Sequence, residues 1–187
     1  MSFLVSAVAA SLAVAAMPLS ATPPTPRHGV DVYGQFEAAG GGTRRAVTFD
    51  KKGVPEKSRV AVLERKGKDG TRVELRVRGL QASRTYGAHV HTNPCGNAPD
   101  ESGPHYQDVK DPKSPSVDPK YANPHNEAWL DLTTDKRGNG RSAATVKWHF
   151  RAGEARSVVI HEHATETAPG KAGTAGARLA CLNVPFN

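Results

Sequence analysis

The residues of this chain best suited to chemistry are its eight histidines: His28, His89, His91, His105, His125, His149, His161 and His163. Two pairs follow a His-x-His pattern, His89-Val90-His91 and His161-Glu162-His163. Residues two apart in an extended segment point the same way, so each pair sets two imidazoles on one side. Neutral imidazole suits copper or zinc, and a chain with 2 cysteines is a poor candidate for a thiolate-bound structural metal. Either pair alone also fits two exposed surface histidines. Two pairs flanking further loop histidines, among them His105 in Gly103-Pro104-His105, point instead to a metal site.

Holding such pairs in place takes extended chain, and the rest of the sequence reads that way. Thr71 to Val77 puts Val73, Leu75 and Val77 on one face and Arg72, Glu74 and Arg76 on the other, the period of a half-buried antiparallel strand. Lys68-Asp69-Gly70 ahead of it carries a hairpin-type turn. Ala46 to Phe49, Arg59 to Leu63, Tyr86 to His91, Trp129 to Leu132, Ala143 to Phe150, Ser157 to Ile160 and Leu179 to Val184 read as further strands, about eight in all. Asp135 to Gly140 makes a turn. Two segments break the pattern: His91 to Asn126, with seven prolines, and Ala164 to Ala177, rich in Gly, Ala and Thr. Ordered domains rarely keep such loops without a functional or covalent reason. With no amphipathic helix, and with 18 Gly and 14 Pro in 187 residues, the chain reads as one all-β domain, a sandwich or barrel with two long loops.

The N-terminal run Phe3 to Ala16 is apolar and is followed by small residues and prolines, the pattern of a secretory leader over 1–21. Cleavage after Ala16 and after Ala21 both fit. About 14 apolar residues fall short of the ~20 that a spanning helix needs, so no stable membrane span is expected after cleavage. Residues 22–29 form a Pro-rich linker, and 30–187 the domain. Export predicts a secreted, periplasmic or cell-envelope protein, and an oxidising compartment favours pairing Cys95 with Cys181. So long a loop would gain about 4–5 kcal/mol in the chain-entropy model. The formal charge of +7 attracts an anionic partner or substrate; with charges scattered along the sequence and 6% aromatics, nucleic acid is discounted.

Four segments in order resemble the Cu/Zn superoxide dismutase family. Tyr86-Gly87-Ala88-His89-Val90-His91 is similar to the strand with the first two copper ligands, and Gly103-Pro104-His105 to the segment with the bridging histidine. Val159-Ile160-His161 resembles the strand end giving the fourth copper ligand. Gly173 to Cys181 is similar to the C-terminal signature holding the active-site arginine, here Arg178, and the second disulfide cysteine; Cys95 matches the first. The resemblance covers roughly Gly79 to Val184 and implies an antiparallel Greek-key β-sandwich or barrel whose two long loops build the active site.

The departures from the family fall on zinc. With the turn at Asp135-Lys136 and Gly138 as anchor, His125 matches the last zinc histidine, but the zinc aspartate position is Ala128 and another zinc histidine position is Lys113. Of four zinc ligands only His105 and His125 remain, a pair for weak zinc at most. The second loop is short and lacks the aspartate that normally links the two metal sites. This pattern is similar to the copper-only branch of the family. A bridging imidazole without zinc needs another partner on its second nitrogen. Glu127 is the candidate, with Asp131 and Asp118 as weaker alternatives.

The resemblance implies an exported enzyme that disproportionates superoxide to O₂ and H₂O₂ with a cycling copper. His89, His91, His105 and His161 would hold the metal, His105 would also carry a proton, and Arg178 would guide the anion, so salt should slow turnover. An exported, non-catalytic copper buffer or carrier on the same fold is the alternative. His149 is expected to be structural, and His163 a loop residue or a support for the ligands.

Overall fold

The computed structural model describes residues 29–40 and 44–187. The leader over 1–21, the linker up to His28, and His28 itself lie outside the described residues.

The strongest alternation builds the first sheet. Strands β4 (Arg59–Gly67) and β5 (Gly70–Arg78) form a hairpin. Gly70 closes it at φ 144°, where a Cβ would come within 1.9 Å of the Val146 carbonyl oxygen, so only glycine fits. Strand β1 (Asp31–Gln35) pairs with β4 and β9 (Gly140–Val146) with β5, giving the order β1-β4-β5-β9. The second sheet joins β2 (Glu37–Ala38), β3 (Ala46–Thr48), β11 (Arg178–Asn183), β10 (Ser157–His161) and β7 (Ala88–His91) in that order. All its pairings are antiparallel except β2 with β3. A two-stranded ribbon, β6 (Thr85–Tyr86) with β8 (Leu132–Thr133), completes the architecture. The only helical element among the described residues is a 3₁₀ turn at Pro99–Ser102, and no helix there is long and apolar enough to cross a membrane. The protein is an all-β, antiparallel Greek-key sandwich.

One cluster of buried side chains takes Val60, Val62, Val73, Leu75 and Val77 from the first sheet and Ala88, Val90, Val158, Ile160, Ala180 and Leu182 from the second. The period of two then decides what the far sides carry. On β7 and β10 the residues that alternate with the core positions include His89, His91 and His161, on the outer face of the second sheet. On β4, β5 and β9 they include Arg59, Arg65, Arg72, Arg76, Arg78 and Arg141. Charge that looks scattered along the sequence is therefore gathered by the fold.

Several elements differ from the sequence pattern, and Tyr86 to His91 divides at Gly87 into β6 and β7, which belong to different sheets. Strand β1 is unheralded because Val32 is its only buried residue. Trp129 to Leu132 shrinks to a bridge between His89 and Trp129 plus the short β8. The strand expected at Ala143 to Phe150 runs from Gly140 to Val146, because Trp148 and Phe150 leave the sheet to pack on Tyr106 with ring centroids 5.6 and 5.0 Å away. The disulfide Cys95–Cys181 forms across 86 residues, with Cα atoms 5.7 Å apart, and ties the first long loop to β11.

Candidate metal centre

The four expected ligands meet above the outer face of the second sheet. Antiparallel pairing sets Val159 opposite His89 and Ser157 opposite His91. At the end of β10 the register with β11 shifts: Ile160 faces Ala180 but His161 faces Arg178, leaving Leu179 as the extra residue of a bulge. Bulges re-aim side chains, and this one turns both His161 and Arg178 toward the site. The first loop brings His105 down onto the strand through an isolated bridge to His91, with Thr92 N–H donating to the Pro104 carbonyl and Tyr106 N–H to the Val90 carbonyl. One ring nitrogen from each of His89, His91, His105 and His161 lies within 4.8 Å of the others.

Hydrogen bonds fix which nitrogen is free in three of the four rings. The Gly103 carbonyl can only accept, so His91 Nδ1 at 2.8 Å carries the proton and Nε2 keeps its lone pair. Thr165 Oγ1 donates to Asp131 Oδ1 at 2.6 Å and so accepts from His89 Nε2 at 2.7 Å. That leaves His89 Nδ1 bare, buried and without a partner. His105 Nδ1 donates to Glu127 Oε2 at 2.9 Å. His161 Nε2 lies 3.3 Å from the His91 Nε2 lone pair, and His161 Nδ1 is, like His89 Nδ1, buried without a partner. Burial pushes the His89 and His91 pKa values well below the ordinary imidazole range, helped by the neighbouring His105; the same causes take His161 to about 3. These three rings are thus neutral donors at pH 7. An all-imidazole set with a buried orphan nitrogen fits a copper ion.

Around the ligands, Glu127 is 1% exposed and takes three donors: His105 Nδ1, Trp129 Nε1 at 2.7 Å and Gln107 Nε2 at 2.7 Å. Of the weaker alternatives, Asp131 serves the other side of the site, holding Thr165 and standing 4.0 Å from His89 Nε2, while Asp118 accepts the Lys120 N–H in a loop turn. Thr165, Gln107 and Trp129 have no metal-ligand chemistry of their own and were not among the expected residues. The period of two could have found two of them, since Gln107 follows His105 by two positions and Trp129 follows Glu127 by two. Nothing in the sequence marks Thr165.

The pair His105 and His125 is not brought together as a site. His125 is exposed, its carbonyl accepting Trp148 Nε1 at 2.7 Å, and it stands outside the four-histidine group. Ala128 is buried and Lys113 exposed. His163 is an exposed loop residue whose carbonyl accepts the Gly87 N–H; a Cβ on Gly87 would press to 2.7 Å from that oxygen. His149 bonds Thr71 at 3.0 Å on the far sheet, a structural contact. Arg178 Nη1 donates to Ser102 Oγ at 2.7 Å and the Pro99 carbonyl at 3.2 Å, which holds its guanidinium over the turn beside the ligands.

The family model for copper/zinc superoxide dismutase (SODC) matches residues 57–184. Among solved structures, Cu/Zn superoxide dismutase from Brucella abortus is 18% identical over 84% of this chain and 99% of that one, with a TM-score of 0.53. A double mutant of a SOD-like protein from Bacillus subtilis is 15% identical over 68% of this chain and 88% of its own, also at 0.53. A single mutant of that protein is 13% identical, over 76% and 98%, at 0.52. No curated protein sequence matches the chain. At these identities the structural likenesses establish the fold.

Proposed function

Since the chain belongs to the copper/zinc superoxide dismutase family, we propose that it is an exported, copper-dependent superoxide dismutase that works without a zinc partner. The observation that carries this reading is the contact of His105 Nδ1 with buried Glu127 at 2.9 Å: the nitrogen that would face zinc is already taken by a carboxylate. Copper alternating between its two oxidation states would supply the chemistry, taking an electron from one superoxide and giving one to the next. Two superoxides and two protons leave as O₂ and H₂O₂.

The chain's own residues do the rest. His89, His91 and His161 are locked by β7, β10 and their hydrogen bonds, so they hold the metal throughout. His105 sits on a loop and its side chain is 19% exposed, against 1% for His89, so it alone combines a ligand nitrogen with solvent access. Its Nε2 is the atom placed to carry a proton to the second superoxide, while Glu127 keeps hold of Nδ1–H and stops the ring from turning. Arg178, pinned by Ser102 and Pro99 and facing His161 across β10 and β11, attracts and orients the anion. Export accords with the Cys95–Cys181 disulfide, since such bonds persist in oxidising compartments.

The test is metal content and dismutation on one purified protein, reconstituted with copper alone and with copper plus zinc. About one copper, no retained zinc and rapid turnover are expected. Bound copper without turnover would make the protein a buffer or carrier, and zinc that is retained and raises the rate would overturn the copper-only reading.

A further inference from the structure

The outer face of the first sheet carries an arrangement that the metal centre does not use. Six arginines project from it: Arg59 and Arg65 on β4, Arg72, Arg76 and Arg78 on β5, and Arg141 on β9. The register sets them against one another three times, Arg59 opposite Arg78, Arg65 opposite Arg72, and Arg76 opposite Arg141. Like charges directly opposite in an antiparallel pair oppose folding. Two carboxylates share the face and each already serves an arginine, Asp31 pairing with Arg65 and Glu74 with Arg76. Among the described residues, Arg59, Arg72, Arg78 and Arg141 have no ion pair. A shallow hollow at the edge is lined by Lys57, Arg59 and Arg78 together with Glu56, whose carboxylate already pairs with Lys51.

We infer that this face is a docking surface for a linear anionic polysaccharide. The planar guanidinium fork matches sulfate and carboxylate oxygens two at a time. Along β5, Arg78 and Arg76 are two positions apart, roughly 7 Å, and Arg72 lies four further on, roughly 13 Å; each has an arginine roughly 5 Å away on a neighbouring strand, a row of opposed pairs that an extended polyanion can follow along the sheet. Other polyanions fit less well. The face has one aromatic, Tyr33, where single-stranded nucleic acid needs a row of stacking rings. No helix or ribbon protrudes from it to enter a duplex groove. A twisted sheet also meets a flat bilayer with only some of its arginines, and the face offers no apolar anchor beyond Tyr33 and half-buried Leu63. Because the ligand histidines are on the other sheet, the protein can be held by this side with the metal centre open.

The test is calorimetric binding of a heparin-derived oligosaccharide and of polygalacturonate to the disulfide-bonded protein at several salt concentrations. Micromolar binding of at least one, weakening as salt rises, is expected. The triple variant R59Q/R78Q/R141Q should lose more than tenfold in affinity while still folding, as near-unchanged circular dichroism and copper uptake would show. The variant K113Q/K120Q/K136Q removes as much charge from exposed loop positions and should bind almost as the parent does. Equal losses in the two variants would make the attraction a property of net charge and overturn the assignment. So would no binding at 50 mM salt, or tighter binding to a 30-base-pair DNA or to phosphatidylglycerol vesicles than to either polysaccharide.

Discussion

The two outer faces of this sandwich start from the same rule and end as opposites. On each sheet alternate residues enter the shared core and the others point away from it. Over the second sheet the long loops close as a roof, so His89 and His91 are 0% exposed and His161 is 4% exposed. There the ring nitrogens either have a partner or stand bare for a metal, and desolvation keeps the rings neutral. Over the first sheet there is no roof. Its arginines stay charged and hydrated, and their mutual repulsion is tolerated because water and salt screen it. Cover, more than residue type, separates a site for a metal from a surface for long-range attraction.

The roofed face should break hardest. His161→Ala removes a ligand on a strand end, and His89→Ala one on β7; each is expected to abolish copper retention and dismutation, read by metal analysis and a superoxide-decay assay. Near-normal activity in either variant would remove the basis of the site. Glu127→Gln keeps the shape of the side chain but takes the charge from His105 Nδ1. Changes of this kind around metal ligands typically cost about 10–100-fold. Copper should stay bound while turnover falls by that order.

Arg178 and Thr165 sharpen the contrast in smaller steps. Arg178→Ala should leave copper in place, slow turnover by about tenfold, and flatten its salt dependence, because the guiding charge is gone. An unchanged salt slope would assign steering to the general +7 field. Thr165→Val removes the hydroxyl between His89 and Asp131, so the His89 tautomer should lose its definition in ¹⁵N NMR of the metal-free protein. Thr165→Ser should restore it.

The roofed face also predicts a pH effect. Folding lowers the His161 pKa from 6.5 to about 3, chiefly through burial. Below pH 6.5 the unfolded chain therefore binds a proton that the folded chain refuses, and stability falls as pH falls, until about pH 3. For the metal-free protein the slope is about 1.4 kcal/mol per pH unit from this one ring. Urea unfolding between pH 7 and pH 5 checks it: the parent should lose stability more steeply than His161→Gln.

How far the sequence announces all this depends on whether a residue's partner is close in the chain or across the fold. The His-x-His spacings are local, so the ligand strands were readable. Glu127 was readable because the missing zinc ligands left His105 in need of a partner, and the structure puts it there. Asp131, a weaker alternative as the partner of His105, serves His89 instead, and its role depends on Thr165 from a loop 34 residues away. The arginines are the clearest case. One at a time they look like ordinary solvated strand residues; only the registers of β4 with β5 and β5 with β9 show that they face each other.

That register also yields the smallest and most discriminating effect. Arg59 and Arg78 stand opposite each other with no carboxylate partner among the described residues, whereas Arg76 and Arg141 share Glu74 through Arg76. Arg59→Gln should therefore raise the melting temperature by about 1–3 °C at low salt, since removing one of two opposed like charges relieves a cross-strand repulsion. Arg141→Gln should raise it less, because Glu74 already offsets part of that repulsion. Both gains should fade in 0.5 M salt, where screening acts within a few ångströms. Equal gains at the two positions, or gains that persist in salt, would mean that the opposed arginines do not interact and that the face is merely populated by charge.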